Sequence, residues 1–148
     1  MEQTLKEKIL QRESNTHEVA ASENTDATTN QSLDERITLA LHAASDKKAV
    51  NPIVLDLRDA SDFTDFFVIT NGTNVRQVQA ITDGIEEELK KQGTRASRIE
   101  GYNTAEWILM DYGDFVVHIF EEKAREFYDL ERLWRDARRL SLPDEIKS

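Results

Sequence analysis

Apolar positions along the chain switch repeatedly between helical and strand spacing. Ser32 and Glu35 form a capping-box pattern, and Leu33, Ile37, Leu41 and Ala44 follow at helical intervals. The spacing predicts a helix that ends near Lys48, ahead of the Asn51-Pro52 break. Two short apolar runs come next, Ile53-Val54-Leu55-Asp56-Leu57 and Phe66-Phe67-Val68-Ile69-Thr70, each bounded by turn residues and each read as a strand. They stand too close together for a helical crossover, so they should pair antiparallel. Asn71-Gly72-Thr73-Asn74 turns the chain into a second helix bearing Val75, Val78, Ile81, Ile85 and Leu89 on one face, with Gly93 placed as a C-terminal cap. Residues 95–100 predict a weak strand, while 106–111 and 115–120 predict strong ones joined by the tight Tyr112-Gly113-Asp114 link of a hairpin. A last helix over about 122–140 should bury Phe127, Leu130, Trp134 and Ala137. The order is α-β-β-α-β-β-β-α, and the simplest architecture is a single α/β domain with a five-stranded mixed sheet and flanking helices.

The two ends read differently. Residues 14–31 are rich in Asn, Thr, Ser and acid and offer little to bury, so residues 1–31 read as a disordered extension. Leu5, Ile9 and Leu10 fall near one face of a short amphipathic helix, but a solvated tail is the simpler expectation. Residues 32–140 then form the domain, and 141–148 a second short tail behind Pro143.

Composition narrows the class. No apolar run approaches 18 residues, so no membrane span is expected. The first dozen residues lack the apolar stretch of a secretory signal and carry Glu2 and Glu7, unlike a transit peptide, which leaves the cytoplasm as the expected compartment. The chain has no cysteine, which removes disulfides and thiolate chemistry. Its formal net charge of −10 disfavours gripping nucleic acid by phosphates, and points to docking on a protein, with RNA contact limited to a small basic patch.

Catalytic motifs are weak. Asp56, Asp62 and Asp65 cluster around the first two strands and Asp111 and Asp114 flank the hairpin, and carboxylates at strand ends can hold Mg²⁺. With Gly72-Thr73 opening a helix, nucleotidyl transfer is conceivable, yet no Asp-x-Asp pair occurs on one strand. Turn-shaping and capping explain these residues more simply. His17, His42 and His118 have no ligand spacing, and His118 reads as a sheet histidine. No metal, cofactor or catalytic residue is expected. By contrast, residues 125–135 mix aromatic and charged side chains beyond what a core requires, and aromatics with arginine are what protein interfaces use as anchors.

The same residues carry a family resemblance. Asp56, Arg58, Ser61, Thr64-Asp65-Phe66-Phe67-Val68-Ile69 and Gly72-Thr73 closely resemble a block of the ribosomal silencing factors, the RsfS or Iojap family. Glu100-Gly101, Trp107, Asp111-Tyr112-Gly113-Asp114, Val116-Val117-His118-Ile119-Phe120 and the stretch from Arg125-Glu126-Phe127 to Leu133-Trp134 resemble further blocks in the same order, over about residues 33–140. The resemblance implies a nucleotidyltransferase-like fold without the catalytic carboxylates, and no enzyme activity. It implies binding to the large ribosomal subunit through its ribosomal protein fourteen. There the factor sterically blocks the small subunit and represses translation under nutrient limitation. An acidic body suits a basic partner.

The partner-binding surface is expected on the second hairpin and the last helix. Trp107, Leu109 and Asp111 share one face of a strand, with Tyr112 in the hairpin link. Arg125, Tyr128 and Asp129 stand three and four residues apart on the helix. An exposed apolar hairpin face would also serve a homodimer of the free protein.

Overall fold

The computed structural model of the protein describes residues 4–11 and 33–146. Composition-based readings of 12–31, of Ser32 and of the last two residues lie outside that range. The described chain runs α1 (Leu5–Leu10), α2 (Glu35–Asp46), β1 (Val50–Asp56), β2 (Phe66–Gly72), α3 (Val75–Lys91), β3 (Arg98–Glu100), β4 (Trp107–Asp111), β5 (Phe115–Glu121), α4 (Glu122–Tyr128), α5 (Leu130–Leu133) and β6 (Arg138–Arg139). The strands form one mixed sheet in the order β3-β4-β5-β2-β1-β6. β1 and β2 pair antiparallel, as do β4 and β5, whereas the central pair β2 and β5 is parallel.

Side chains alternate across this sheet and divide the core in two. Val54, Val68, Ile108, Met110, Phe115, Val117 and Ile119 meet α2 and α3 on one face. Leu55, Phe67, Ile69, Trp107, Leu109, Val116 and Phe120 meet α1, α4 and α5 on the other. Local signals explain the helix ends. The side chain of Asp34 accepts from Arg36 N at the start of α2, and that of Asn74 from Gln77 N at the start of α3. Gly93 at φ 85° follows the C-cap of α3, where a side chain would be strained.

Four features depart from the sequence reading. The sheet has six strands, not five, because Arg138 and Arg139 pair with Asp56 and Leu55 at the outer edge of β1. The expected last helix is broken: Asp129 adopts the left-handed conformation (φ 48°, ψ 55°), ending α4 and restarting the chain as the four-residue α5. This break shifts the helical phase, so Leu130 and Trp134 are buried as expected while Phe127 is 79% exposed. The C-terminal segment, expected as a short tail, packs Leu142 and Ile146 on the α2–α3 core. Finally, α1 is ordered within the expected N-terminal extension, and its Ile9 is fully buried under the opposite face. Such short pieces are ordered by the few side chains or backbone groups that reach the rest of the domain, and periodicity over so few residues does not announce them.

Candidate partner-binding surface

The seven sequence candidates do not form one patch. On β4, Trp107 (4% exposed) and Leu109 point into the α4 side of the core, whereas Tyr112 folds to the other face and stacks on Phe115 at 4.9 Å. The Tyr112 hydroxyl is buried without a hydrogen-bond partner among the described residues, and burial with the nearby Glu86 charge pushes its pKa up to about 12. Asp111 lies between them and accepts from Gly113 N at 2.9 Å, which closes the hairpin turn. Trp107 and Tyr128 do come together, with ring centroids 4.8 Å apart, so β4 and α4 share one aromatic layer with Phe120. Asp129 stands at the break beside them, and its backbone N–H donates to Arg125 O.

Arg125 is the tie of this corner. Its guanidinium donates to Glu131 Oε2 (2.8 Å), to the carbonyls of Asn51 (2.9 Å) and Val50 (3.4 Å), and to Asn71 Oδ1 (2.9 Å). The register of β1 against β2 shifts between Val50 and Ile53, and Asn51 has φ 47°, so the Asn51 carbonyl leaves the ladder and needs a donor, whereas the Val50 carbonyl also accepts from Thr70 Oγ1 at 2.8 Å. One arginine, only 11% exposed, therefore fixes α4 and α5 to the start of β1 and the end of β2. It presents its own charge to Glu131 rather than to solvent. The residue that does reach solvent is Phe127, edge-on to Tyr128 at 4.9 Å. Periodicity assigned it to the core, and only the left-handed Asp129 reveals otherwise.

Behind the aromatic layer lies His118, fully buried in β5. The indole Nε1–H of Trp107 donates to His118 Nδ1 at 3.0 Å, so the neutral ring carries its proton on Nε2. Burial, helped by the positive charge of Lys6, pushes its pKa down to about 3. An unfolded histidine titrates near 6.5, so between that value and about 3 the unfolded state binds a proton that the native state refuses. Stability contributed by His118 is therefore complete above pH 6.5 and lost as pH falls, by up to about 1.4 kcal/mol per pH unit. Urea unfolding from pH 6.5 to 4.5 should show this slope, and His118→Gln, which can still accept from Trp107, should flatten it; equal slopes in both proteins would refute the assignment.

Asp56 and Asp114 have arginine partners. Arg58 holds Asp56 through both Nε (3.0 Å) and Nη2 (2.8 Å), and Arg36 bridges Asp34 (2.7 Å) and Asp114 (2.8 Å) from α2 to the hairpin. Thr73 N and Oγ1 donate to Gln77 Oε1, so the first turn of α3 satisfies itself. Among the described residues no three His, Asp or Glu side chains gather as a metal site.

Residues 30–148 match the family model described as "Ribosomal silencing factor during starvation". The chain belongs to this family. A ribosomal silencing factor RsfS of Halalkalibacterium halodurans is 41% identical over 112 residues, 76% of this chain and 96% of that protein. A solved structure from Bacillus halodurans superposes with a TM-score of 0.66 at 40% identity, covering 73% of this chain and 98% of the other. The mouse protein "Mitochondrial assembly of ribosomal large subunit protein 1" is 35% identical over 75 residues, 49% of this chain and 33% of that one. Within the silencing-factor domain, two of the blocks that carry the resemblance meet in space. Thr64 Oγ1 donates to Gly113 O (2.9 Å) and Asp65 N to Asp114 O (3.0 Å), so the loop before β2 is pinned to the β4–β5 hairpin. Much of that motif density is thus spent on holding the hairpin.

Proposed function

We propose that this silencing-factor domain is a non-catalytic binding module. It docks on the large ribosomal subunit through ribosomal protein fourteen and, by its bulk, keeps the small subunit from joining, which represses translation under nutrient limitation in the cytoplasm. The family match and the mouse relative named for large-subunit assembly support the target. The net charge of −10 suits a basic ribosomal protein and limits contact with ribosomal RNA to a minor share. The fold is read as nucleotidyltransferase-like, with Asp114 and Asp56 taken up by Arg36 and Arg58. The observation that carries the docking site is the α4–α5 corner. Phe127 is 79% exposed there, on a helix that Arg125 holds rigid. Tyr128 and Asp129 flank it, Trp107 and Leu109 support it from beneath, and Asp111 and Tyr112 belong to the neighbouring hairpin. A large exposed aromatic on a fixed element is the usual form of an interface anchor.

Cosedimentation with separated ribosomal subunits tests this reading. The full chain should travel with the large subunit and not the small one. Phe127→Ala should weaken that association at least tenfold, the loss typical of a truncated anchor at about 1.4 kcal/mol per decade or more. Because Phe127 is solvent-exposed, its melting temperature should stay at the wild-type value, and Arg139→Ala should do little. Undiminished large-subunit binding by Phe127→Ala would place the docking surface elsewhere, with a homodimer of the free chain as the competing use of the exposed aromatic.

A further inference from the structure

α1 precedes residue 30, where the family match begins, yet it lies on a face that belongs to the matched domain. Its six residues are far fewer than the roughly 12–15 that an isolated helix needs to persist in water, and the Thr4–Glu7 capping box closes only its first turn. Docking must therefore hold it. Ile9 is fully buried in the α4-side core and Leu5 packs beside it. Lys6 adds a polar contact: its Nζ donates to the Trp107 carbonyl at 2.6 Å and lies 4.8 Å from the centre of the Trp107 ring. Gly101 makes the space, since a Cβ there would meet Lys6 Nζ at 2.7 Å and the Trp107 carbonyl at 2.3 Å. Glu100 and Glu106 add negative potential at the same spot. An indole face, a carbonyl left over at the end of β4 and two carboxylates together form a seat for a cation.

We propose that Lys6 and α1 occupy this seat in cis as a detachable strap, and that a lysine or arginine of the basic ribosomal partner takes it in trans once α1 has left. The inference rests on the docking reading above and adds a built-in competitor to it. Among the described residues, Leu5, Lys6 and Ile9 tie this terminal six-residue piece to the domain, so its release leaves the rest of the fold in place. Its covalent link to the domain keeps it at high local concentration, which slows but does not abolish engagement.

The full chain carrying Ile9→Asp tests the proposal. Trypsin should cleave after Lys6 and Lys8 at least tenfold faster than in wild type while the domain from α2 onward stays protected. The variant should associate with purified large subunits at least threefold faster. Adding Glu106→Gln to the released strap should take back at least threefold of that gain, because the seat then attracts a cation less. Lys6→Gln, a milder change that leaves Ile9 buried and removes the cleavage site at position 6, should speed cleavage after Lys8 and association with large subunits at smaller amplitude if Ile9→Asp does not fold. A freed strap with unchanged or slower association overturns the proposal while leaving the docking reading intact, as does a strap that Ile9→Asp fails to free. If neither wild type nor variant binds large subunits, the docking reading itself falls and takes this one with it.

Discussion

Trp107→Ala is expected to cost the domain about 3–5 kcal/mol and to lower its melting temperature by more than about 10 °C. The indole is 4% exposed and stacks on Phe120 at 5.3 Å, touches Tyr128 at 4.8 Å and hydrogen-bonds His118 Nδ1 at 3.0 Å. Truncation opens a cavity between β4, β5 and α4 and at once leaves a buried imidazole nitrogen without its donor, and each loss is costly alone. Trp107→Phe separates them. It keeps most of the ring volume but not the N–H, so it should lose only the hydrogen-bond share, about 1–3 kcal/mol. Urea unfolding of the three proteins at pH 7.5 reads both quantities. A Trp107→Ala protein as stable as wild type would mean that the aromatic layer is not core.

Arg125→Ala should be nearly as damaging, at about 3–5 kcal/mol, although Arg125 sits on a short surface helix. The change strands Glu131, whose side chain is 21% exposed, and removes the arginine donor from the Asn51 carbonyl and from Asn71 Oδ1, while the Val50 carbonyl keeps the Thr70 hydroxyl. Arg125→Lys should recover little, because one ammonium cannot face Glu131 and the strand carbonyls together as the planar fork does. Arg125→Met combined with Glu131→Leu should lose less than Arg125→Ala alone, since no charge is then left unpaired. Thermal melts of the four proteins check the order, and a double variant worse than Arg125→Ala would contradict the account.

These two residues show how far the sequence could be read. Helices and strands from α2 to β5 announce themselves through period and turn chemistry, and the antiparallel pairing of β1 with β2 follows from their short link. The corner that matters most does not. Asp129 can enter the left-handed region because its short polar side chain tolerates it, and neither glycine nor proline marks the spot. With the phase of the helix reset there, periodicity sends Phe127 inward. β6 is two arginines, α1 is six residues, and the contribution of the C-terminus to the core is Leu142 and Ile146. Such pieces are ordered by what they meet, not by their own pattern. The candidate surface was legible as a stretch of chain dense in aromatic and charged side chains, but which of them face outward depended on that one backbone turn. The strand alternation placed Trp107 and Leu109 on one face correctly, and left open that α1 and α4 cover it.

β6 also decides how the molecule behaves when crowded. Its Arg138 and Arg139 pair only with Asp56 and Leu55, and the opposite border of the sheet, β3, has three residues. At about 3.3 Å per residue these borders are roughly 7 and 10 Å long, one of them carries two exposed positive side chains, and the outer edge of β1 beyond β6 is interrupted by Pro52, which has no N–H to offer a neighbour's strand. The long apolar strands β2 and β5 are thereby sealed in the middle of the sheet. A chain so bordered is poorly suited to pairing edge to edge with its neighbours.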